Sequence, residues 1–360
     1  MEKKEESASE NATKQFLTIQ TMRIAQIDNM KAFLILTVVF GHFLEWNLSK
    51  DSSRSVYLLL YSFHMPAFVF VTGLMAKYRS SKIKWNFFLL YMVFQTIFLK
   101  MDARWFEGDG KLQYTKPYWV LWYLLAYILW MILLPLFETK KRGVKILQLL
   151  LAFVVGILAG YDESIGYTLS LSRILVFLPF FLAGYYCEFT KHRKEVLRVV
   201  RFPLTALVSF AVAIVGMRWI WKNAADLKLV WFYHTRAYAA TEMEPVLRVK
   251  LYIISIAMIL LLLLLVPDKK IPVLTTIGQR SLNVFLLHVF VQRYVLYKNY
   301  FEVLPAHLEW ICLGLAIVCV LVLSIEPIDF CIRKLFFFNA EELYEKTKEI
   351  LHRIYNKFTP

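Results

Sequence analysis

Charge is scarce in this chain. Only 19% of its 360 residues are Asp, Glu, Lys or Arg, where an ordinary soluble domain carries about 25%. Cysteine is scarcer still. Cys187, Cys312, Cys319 and Cys331 lie within or at the ends of apolar runs, at spacings that make neither a disulfide framework, a zinc site nor a redox pair. The short polar–apolar alternation of half-buried strands is missing. So are an internal repeat, a large soluble domain and any RNA- or DNA-binding motif. The first apolar run lacks a clear small-residue cleavage site, so it reads as a retained span rather than a signal peptide.

What the chain has is hydrocarbon. Hydrophobic residues make up 59%, with 29 Phe, 20 Tyr and 10 Trp, and the mean hydropathy is +0.52. Ten apolar runs stand out, at about 29–46, 56–76, 85–99, 117–137, 144–160, 171–189, 202–221, 249–267, 281–297 and 307–332. A spanning helix needs roughly 20 such residues and satisfies its own backbone bonds, as lipid demands. The expectation is an all-α, polytopic membrane bundle of about ten transmembrane helices, multi-pass in a cell membrane.

The net charge of +15 falls in the gaps between these runs, where it acts as a topology signal and not as a nucleic-acid patch. With the N-terminus inside, the inner segments hold 25 Lys and Arg and the outer ones 11. Both termini are therefore expected in the cytoplasm. Three regions follow: a polar cytoplasmic segment 1–28, a transmembrane domain 29–332, and a basic cytoplasmic tail 333–360. The tail's Leu343, Ile350, Leu351, Ile354 and Phe358 suit an interfacial helix as well as a loosely held end.

Two histidines lie within these runs, His42 in the first and His64 in the second. A titratable side chain at membrane depth is costly and usually faces a packed interior or a water-filled cavity. The two runs cross in opposite directions, so His42 and His64 reach similar depth and can share one cavity. Lys31 and His42 are eleven residues apart, close to three turns, and share a helix face. Lys31 stands at the cytoplasmic mouth, where it suits a phosphate. His42 is roughly 16 Å deeper and suits proton transfer. The same pair also fits an anchor lysine and a hydrogen-bonded core histidine. Pro66 is expected to kink the second helix beside His64, and Gly73 to allow close helix contact. Arg173 and Arg218, near the outer ends of their runs, are read as snorkelling, with contact to an acceptor sugar as the other reading. Glu326 is read as paired with a basic residue. Trp231, Phe232 and Tyr233 fit an aromatic belt or a sugar-stacking surface, and His234 is expected in solvent.

The motifs around these residues resemble one family. IDNMKAFLILTVVFGH, with ten positions between Lys31 and His42, is similar to the first helix of the membrane acyltransferase-3 family. FHMPAFVFVTG resembles its second-helix signature. FLPFFLAGYY resembles the motif that precedes its cytoplasmic basic loop. GQRSLNVFLLH resembles a late-helix motif, and Glu326–Pro327 its closing helix. The subgroup of closest resemblance is the fucose 4-O-acetylase-like enzymes of cell-surface polysaccharides. The resemblance implies an acetyl-CoA-dependent O-acetyltransferase of a bacterial plasma membrane that needs no metal. It would pass acetyl from cytoplasmic acetyl-CoA, the acyl donor, to a hydroxyl of a cell-surface or lipid-linked glycan. His42 is then the expected base and His64 its partner. Lys31, Arg79, Lys82, Lys84 and His288 are expected on the donor, with a structural role closing the bundle as the other reading of His288. Where the family often carries paired arginines, this chain has YRSSKIKW, which keeps the charge and alters the fork geometry.

A hydroxyl is a poor nucleophile near neutral pH, so a histidine base is the natural aid. Direct attack and an acyl-histidine relay both stay open. A proton-coupled transporter or flippase of glycan precursors is the alternative reading, although matched Gly/Pro-broken helices are absent. A non-catalytic scaffold is a third. The topology has a direct check. Green fluorescent protein fused after Pro360 should fluoresce, and alkaline phosphatase fused there should be inactive. The opposite pair of results would place that end outside.

Overall fold

The computed structural model describes residues 24–76, 81–298 and 308–337. Among these, every regular element is helical. The order opens with α1 (Ala25–Leu44), α2 (Asp51–Tyr61), α3 (His64–Ala76), α4 (Ser81–Phe106), α5 (Trp122–Phe137), α6 (Arg142–Leu158) and α7 (Leu171–Cys187). Next come α8 (Phe189–Arg201), α9 (Pro203–Lys222), the short α10 (Leu229–Tyr233) and α11 (Tyr238–Thr241), and α12 (Pro245–Leu265). The order closes with α13 (Pro272–Gln279), α14 (Ser281–Tyr297), α15 (Leu308–Leu323) and α16 (Glu326–Phe336).

Six stretches among the described residues are long and apolar enough to cross a membrane: Ala25–Asn47, Asp51–Ala76, Trp119–Phe137, Thr168–Cys187, Pro203–Lys222 and Pro245–Leu265. A seventh counts if α15 and α16, bent by 60°, form one span. The chain is a multi-pass membrane protein. Its ten apolar runs do not become ten such spans. α6 and α14 stop at 17 residues each, at the lower limit for crossing. The expected run 85–99 is part of a 26-residue helix, α4, whose last turns carry Lys100, Asp102 and Arg104 and so escape a hydropathy reading. α9 shows what faces the lipid. Only 17% of its apolar window is buried, and Leu204, Leu207, Val208, Ile214 and Val215 lie exposed. An apolar face of that length in water would be an association site; in a bilayer it is solvated.

Two expectations about local structure change. The second helix is not kinked at Pro66 but broken before it, at Ser62 and Phe63. Pro66 then falls in the first turn of α3, where its missing N–H costs nothing. The break is satisfied from outside, because Ser255 Oγ donates to Ser62 O at 2.8 Å. The basic segment 190–201, expected as a loop, is helical in α8. Lys191, Arg193, Lys194, Arg198 and Arg201 sit on it together with the buried Leu197 and Val200, the pattern of an interfacial helix.

Packing rests on small residues and on side chains that cap free carbonyls. A Cβ on Gly73 would lie 2.1 Å from Phe181 O, and one on Gly184 would lie 2.1 Å from Phe70 O. α3 and α7 therefore meet backbone to backbone at a reciprocal glycine pair, the close approach that membranes favour. α13 meets α1 in the same way, since a Cβ on Gly278 would be 1.7 Å from Asp28 O. The first turns of α1 are then tied to the corner after α12. Gln26 Nε2 donates to Leu263 O at 2.9 Å, Asn29 Nδ2 to Pro267 O at 2.9 Å, and Thr275 Oγ1 to Asn29 Oδ1 at 2.8 Å. Each bond satisfies a carbonyl or amide that lipid could not.

Gly73→Ala and Gly184→Ala should each cost roughly 1–3 kcal/mol by forcing α3 and α7 apart. The check is the melting temperature in detergent. Gly143→Ala, with nothing within 4 Å of the added atom, should leave it unchanged or slightly higher.

Candidate active site

Three buried histidines come from three helices. His42 is on the last turn of α1, His64 opens α3, and His288 lies within α14. His42 Nδ1 is 2.9 Å from His288 Nε2, and the rings stack with centroids 5.1 Å apart. His288 Nδ1 lies 2.8 Å from Val284 O, and His64 Nδ1 lies 2.6 Å from Leu60 O.

These bonds assign the tautomers of neutral rings. A carbonyl oxygen only accepts, so His288 carries its proton on Nδ1 and its Nε2 is a lone pair. His42 must then donate from Nδ1, which leaves His42 Nε2 unprotonated. His64, donating to Leu60 O, likewise presents a bare Nε2. Neither Nε2 has a hydrogen bond among the described residues. His42 and His64 both line a cavity of about 200 Å³. The arrangement is two imidazole bases at one cavity, one of them oriented by a third histidine. A ring nitrogen's role is set by the bond its other nitrogen makes.

The cavity's other polar groups come from elements that the sequence does not bring together. Glu45 follows His42 by three residues, on a 3₁₀ turn (Glu45–Asn47). Tyr57 and Tyr61 on α2 both donate to its Oε1, at 3.2 and 2.9 Å. Arg173, near the start of α7, donates from Nε to Tyr233 O at 2.9 Å, and its Nη1 is buried without a partner. The segment between α9 and α12 folds inward over this end. Arg54 donates to Ala224 O and Leu227 O at 2.7 and 2.8 Å, and the Tyr57 and Tyr233 hydroxyls are 2.9 Å apart. Phe232 and Tyr233 thus line the cavity. His234, expected in solvent, is buried, and its carbonyl accepts from Ser172 Oγ at 2.8 Å.

Trp119 closes one side, its ring 4.4 Å from that of His42 and 4.9 Å from the Arg293 guanidinium. Its φ of 31° lies in the left-handed region, which a bulky residue adopts only under constraint. The constraint is Gln95 on α4. Gln95 Nε2 donates to Gln113 O and Lys116 O at 2.7 and 2.9 Å, while its Oε1 accepts from Tyr118 N at 2.8 Å. Tyr167 Oη adds a bond to Pro117 O at 2.7 Å. This buried glutamine is therefore the clamp for the loop that presents Trp119.

The residues expected on the donor are distributed differently. Lys31 is outside the cavity lining and pairs with Asp28 Oδ1 at 2.7 Å. Lys82 and Lys84 fall on the first turn of α4, and Arg79 lies outside the described residues. His288 is joined to His42. Arg173, expected to snorkel, turns inward, whereas Arg218 is exposed. Glu326 is paired with Arg280 and lies 3.8 Å from Arg333. Among the described residues no group of three or more His, Cys, Asp or Glu could hold a metal ion.

A family model described as an acyltransferase domain matches residues 24–326. The match holds all three site histidines, Glu45, Gln95 and Arg173. No curated protein and no solved structure matches the chain.

Gln95→Leu should release the loop before Trp119, since three bonds are lost from a buried site. Hydrogen exchange at residues 113–118 should quicken by about tenfold, the effect of roughly 1.4 kcal/mol of lost local stability. Unchanged exchange there would show that the clamp is unimportant.

Proposed function

The chain belongs to the acyltransferase-3 family, and from that premise we propose an O-acetyltransferase with His42 as general base. The donor is acetyl-CoA on the cytoplasmic side. The acceptor is a hydroxyl of a cell-surface or lipid-linked glycan. The observation that carries the reading is His42 at the wall of the cavity, its ring held by the 2.9 Å bond from Nδ1 to His288 and its Nε2 without a hydrogen bond among the described residues.

The chemistry needs little else. The acceptor hydroxyl gives its proton to His42 Nε2 as its oxygen attacks the thioester carbonyl carbon. The carbon–sulfur bond then breaks, and the proton passes from His42 to the departing sulfur, leaving a free thiol and an ester. While His42 is protonated, its Nδ1–H still donates to His288 Nε2, so the orientation survives both steps. In this reading His288 positions His42 rather than the donor, a role supported by the engagement of both its nitrogens. His64 offers a second bare nitrogen in the same cavity and serves to orient the hydroxyl. Lys31, Arg79, Lys82 and Lys84 supply positive charge for the donor's phosphates at the cytoplasmic face. That role follows from the proposed N-in topology, in a bacterial plasma membrane.

The test uses purified protein in liposomes with radiolabelled acetyl-CoA and glycan acceptor. His42→Ala should lower transfer by at least about a hundredfold, the scale of a lost general base. His288→Gln should cost about tenfold, as the loss of an orienting partner does. Near-normal transfer by His42→Ala would remove the assignment.

A further inference from the structure

The cavity holds two polar groups that the proposed chemistry leaves unused. Glu45 Oε1 takes both phenol bonds, from Tyr57 and Tyr61, while Oε2 has no hydrogen bond among the described residues. Arg173 has a buried Nη1 with no partner. Both residues line the same cavity as His42. A buried donor left unpaired is expensive, and such groups call for an explanation by a ligand or water.

Resting on the acyltransferase reading, we propose that Glu45 and Arg173 form the acceptor subsite, and that it takes one uncharged sugar ring bearing adjacent hydroxyls. Three observations select this class. First, His42 and Glu45 are three residues apart, so their side chains emerge from neighbouring positions on one face. In the proposed pose one ring hydroxyl meets His42 Nε2 and its neighbour meets Glu45 Oε2, both residues lining the one cavity. Second, little of the site's polar capacity is free for an ionised group. Glu45 Oε1 is taken by two phenols, which leaves Oε2 to accept from one hydroxyl. The guanidinium cannot grip an anion with its side-on fork, because Nε already donates to Tyr233 O. Its Nη1 remains for a single hydroxyl or ring oxygen. Third, the space is small. At about 200 Å³ it is below the roughly 300–1,000 Å³ usual for ligand pockets, so one ring enters and the rest of a glycan stays outside.

Stacking is not the main source of recognition here. Trp122 is already stacked on Phe177 at 5.3 Å and approached by Arg173 at 4.7 Å, and Trp119 is engaged by His42 and Arg293. Selectivity comes from paired hydroxyls, and a site built on such bonds rejects ligands that lack or oppose them.

The experiment is binding of methyl pyranosides to the full chain in nanodiscs, followed by saturation-transfer NMR. The panel has the galacto, gluco, manno, fuco and rhamno glycosides, the methyl uronates, and methyl glucosaminide. At least one neutral glycoside should bind about tenfold more tightly than its charged counterpart. Glu45→Gln and Arg173→Lys should each weaken that ligand by about tenfold while coenzyme A binding persists. The wild-type ranking needs no variant, so a variant that fails to fold does not rescue the idea. The subsite is overturned if no neutral glycoside binds, if uronates bind as well, or if both variants bind as wild type. Acetyl transfer measured in parallel separates the two claims. A glycoside that binds yet is never acetylated refutes the acyltransferase reading and leaves the subsite standing. Ordinary transfer with unaltered binding by both variants refutes the subsite alone.

Discussion

The bond between His42 and His288 spans 246 residues of sequence and organises the polar interior. A histidine placed among apolar helices must find a partner or carry an unsatisfied nitrogen. His42 meets that demand with another histidine, whose own second nitrogen is satisfied by Val284 O. The chain of bonds has a direction: carbonyl, His288, His42, cavity. It ends on a lone pair, which is why an arrangement that satisfies packing also supplies a base.

Much of the fold serves to hold the two ends of that bond. α1 is fixed at its start by Gln26, Asn29 and the contact of Gly278 with Asp28, so its last turn has a defined position. The break at Ser62 lets α3 begin with His64 facing the same cavity. The glycine pair Gly73 and Gly184 brings α3 against α7, which carries Arg173 to the cavity. Gln95 holds Trp119 in a strained conformation beside His42. Strain of that kind persists only where surroundings over-determine it, and here three hydrogen bonds from one side chain and one from Tyr167 do so.

Some of this was legible in the sequence. Long apolar runs predict helices because lipid leaves few other backbone solutions. The histidines stand out because polar atoms at that depth are rare. The ten-residue interval between Lys31 and His42, with the later motifs, points to the acyltransferase-3 family. Other features were hidden for physical reasons. The partner of His42 lies far along the chain, and one sequence carries no sign of a pairing across 246 residues. Glu45 looks like a residue at a span's end until Tyr57 and Tyr61 enclose it. His234 reads as part of an outer loop because the bonds that draw it inward run from Arg54, Ser172 and Arg173 to backbone carbonyls, which have no sequence signature. The span count differs because α6 and α14 stop at 17 residues each and α4 carries charge in its last turns.

The central claim is that His288 fixes His42 with its proton on Nδ1 and Nε2 bare. ¹⁵N NMR of histidine-labelled protein in nanodiscs reads that tautomer directly. The account predicts a single Nδ1–H form for His42 in the wild-type protein, giving way to a mixture of forms in His288→Ala. A His42 that carries its proton on Nε2, or one whose tautomer is the same with and without His288, would contradict it.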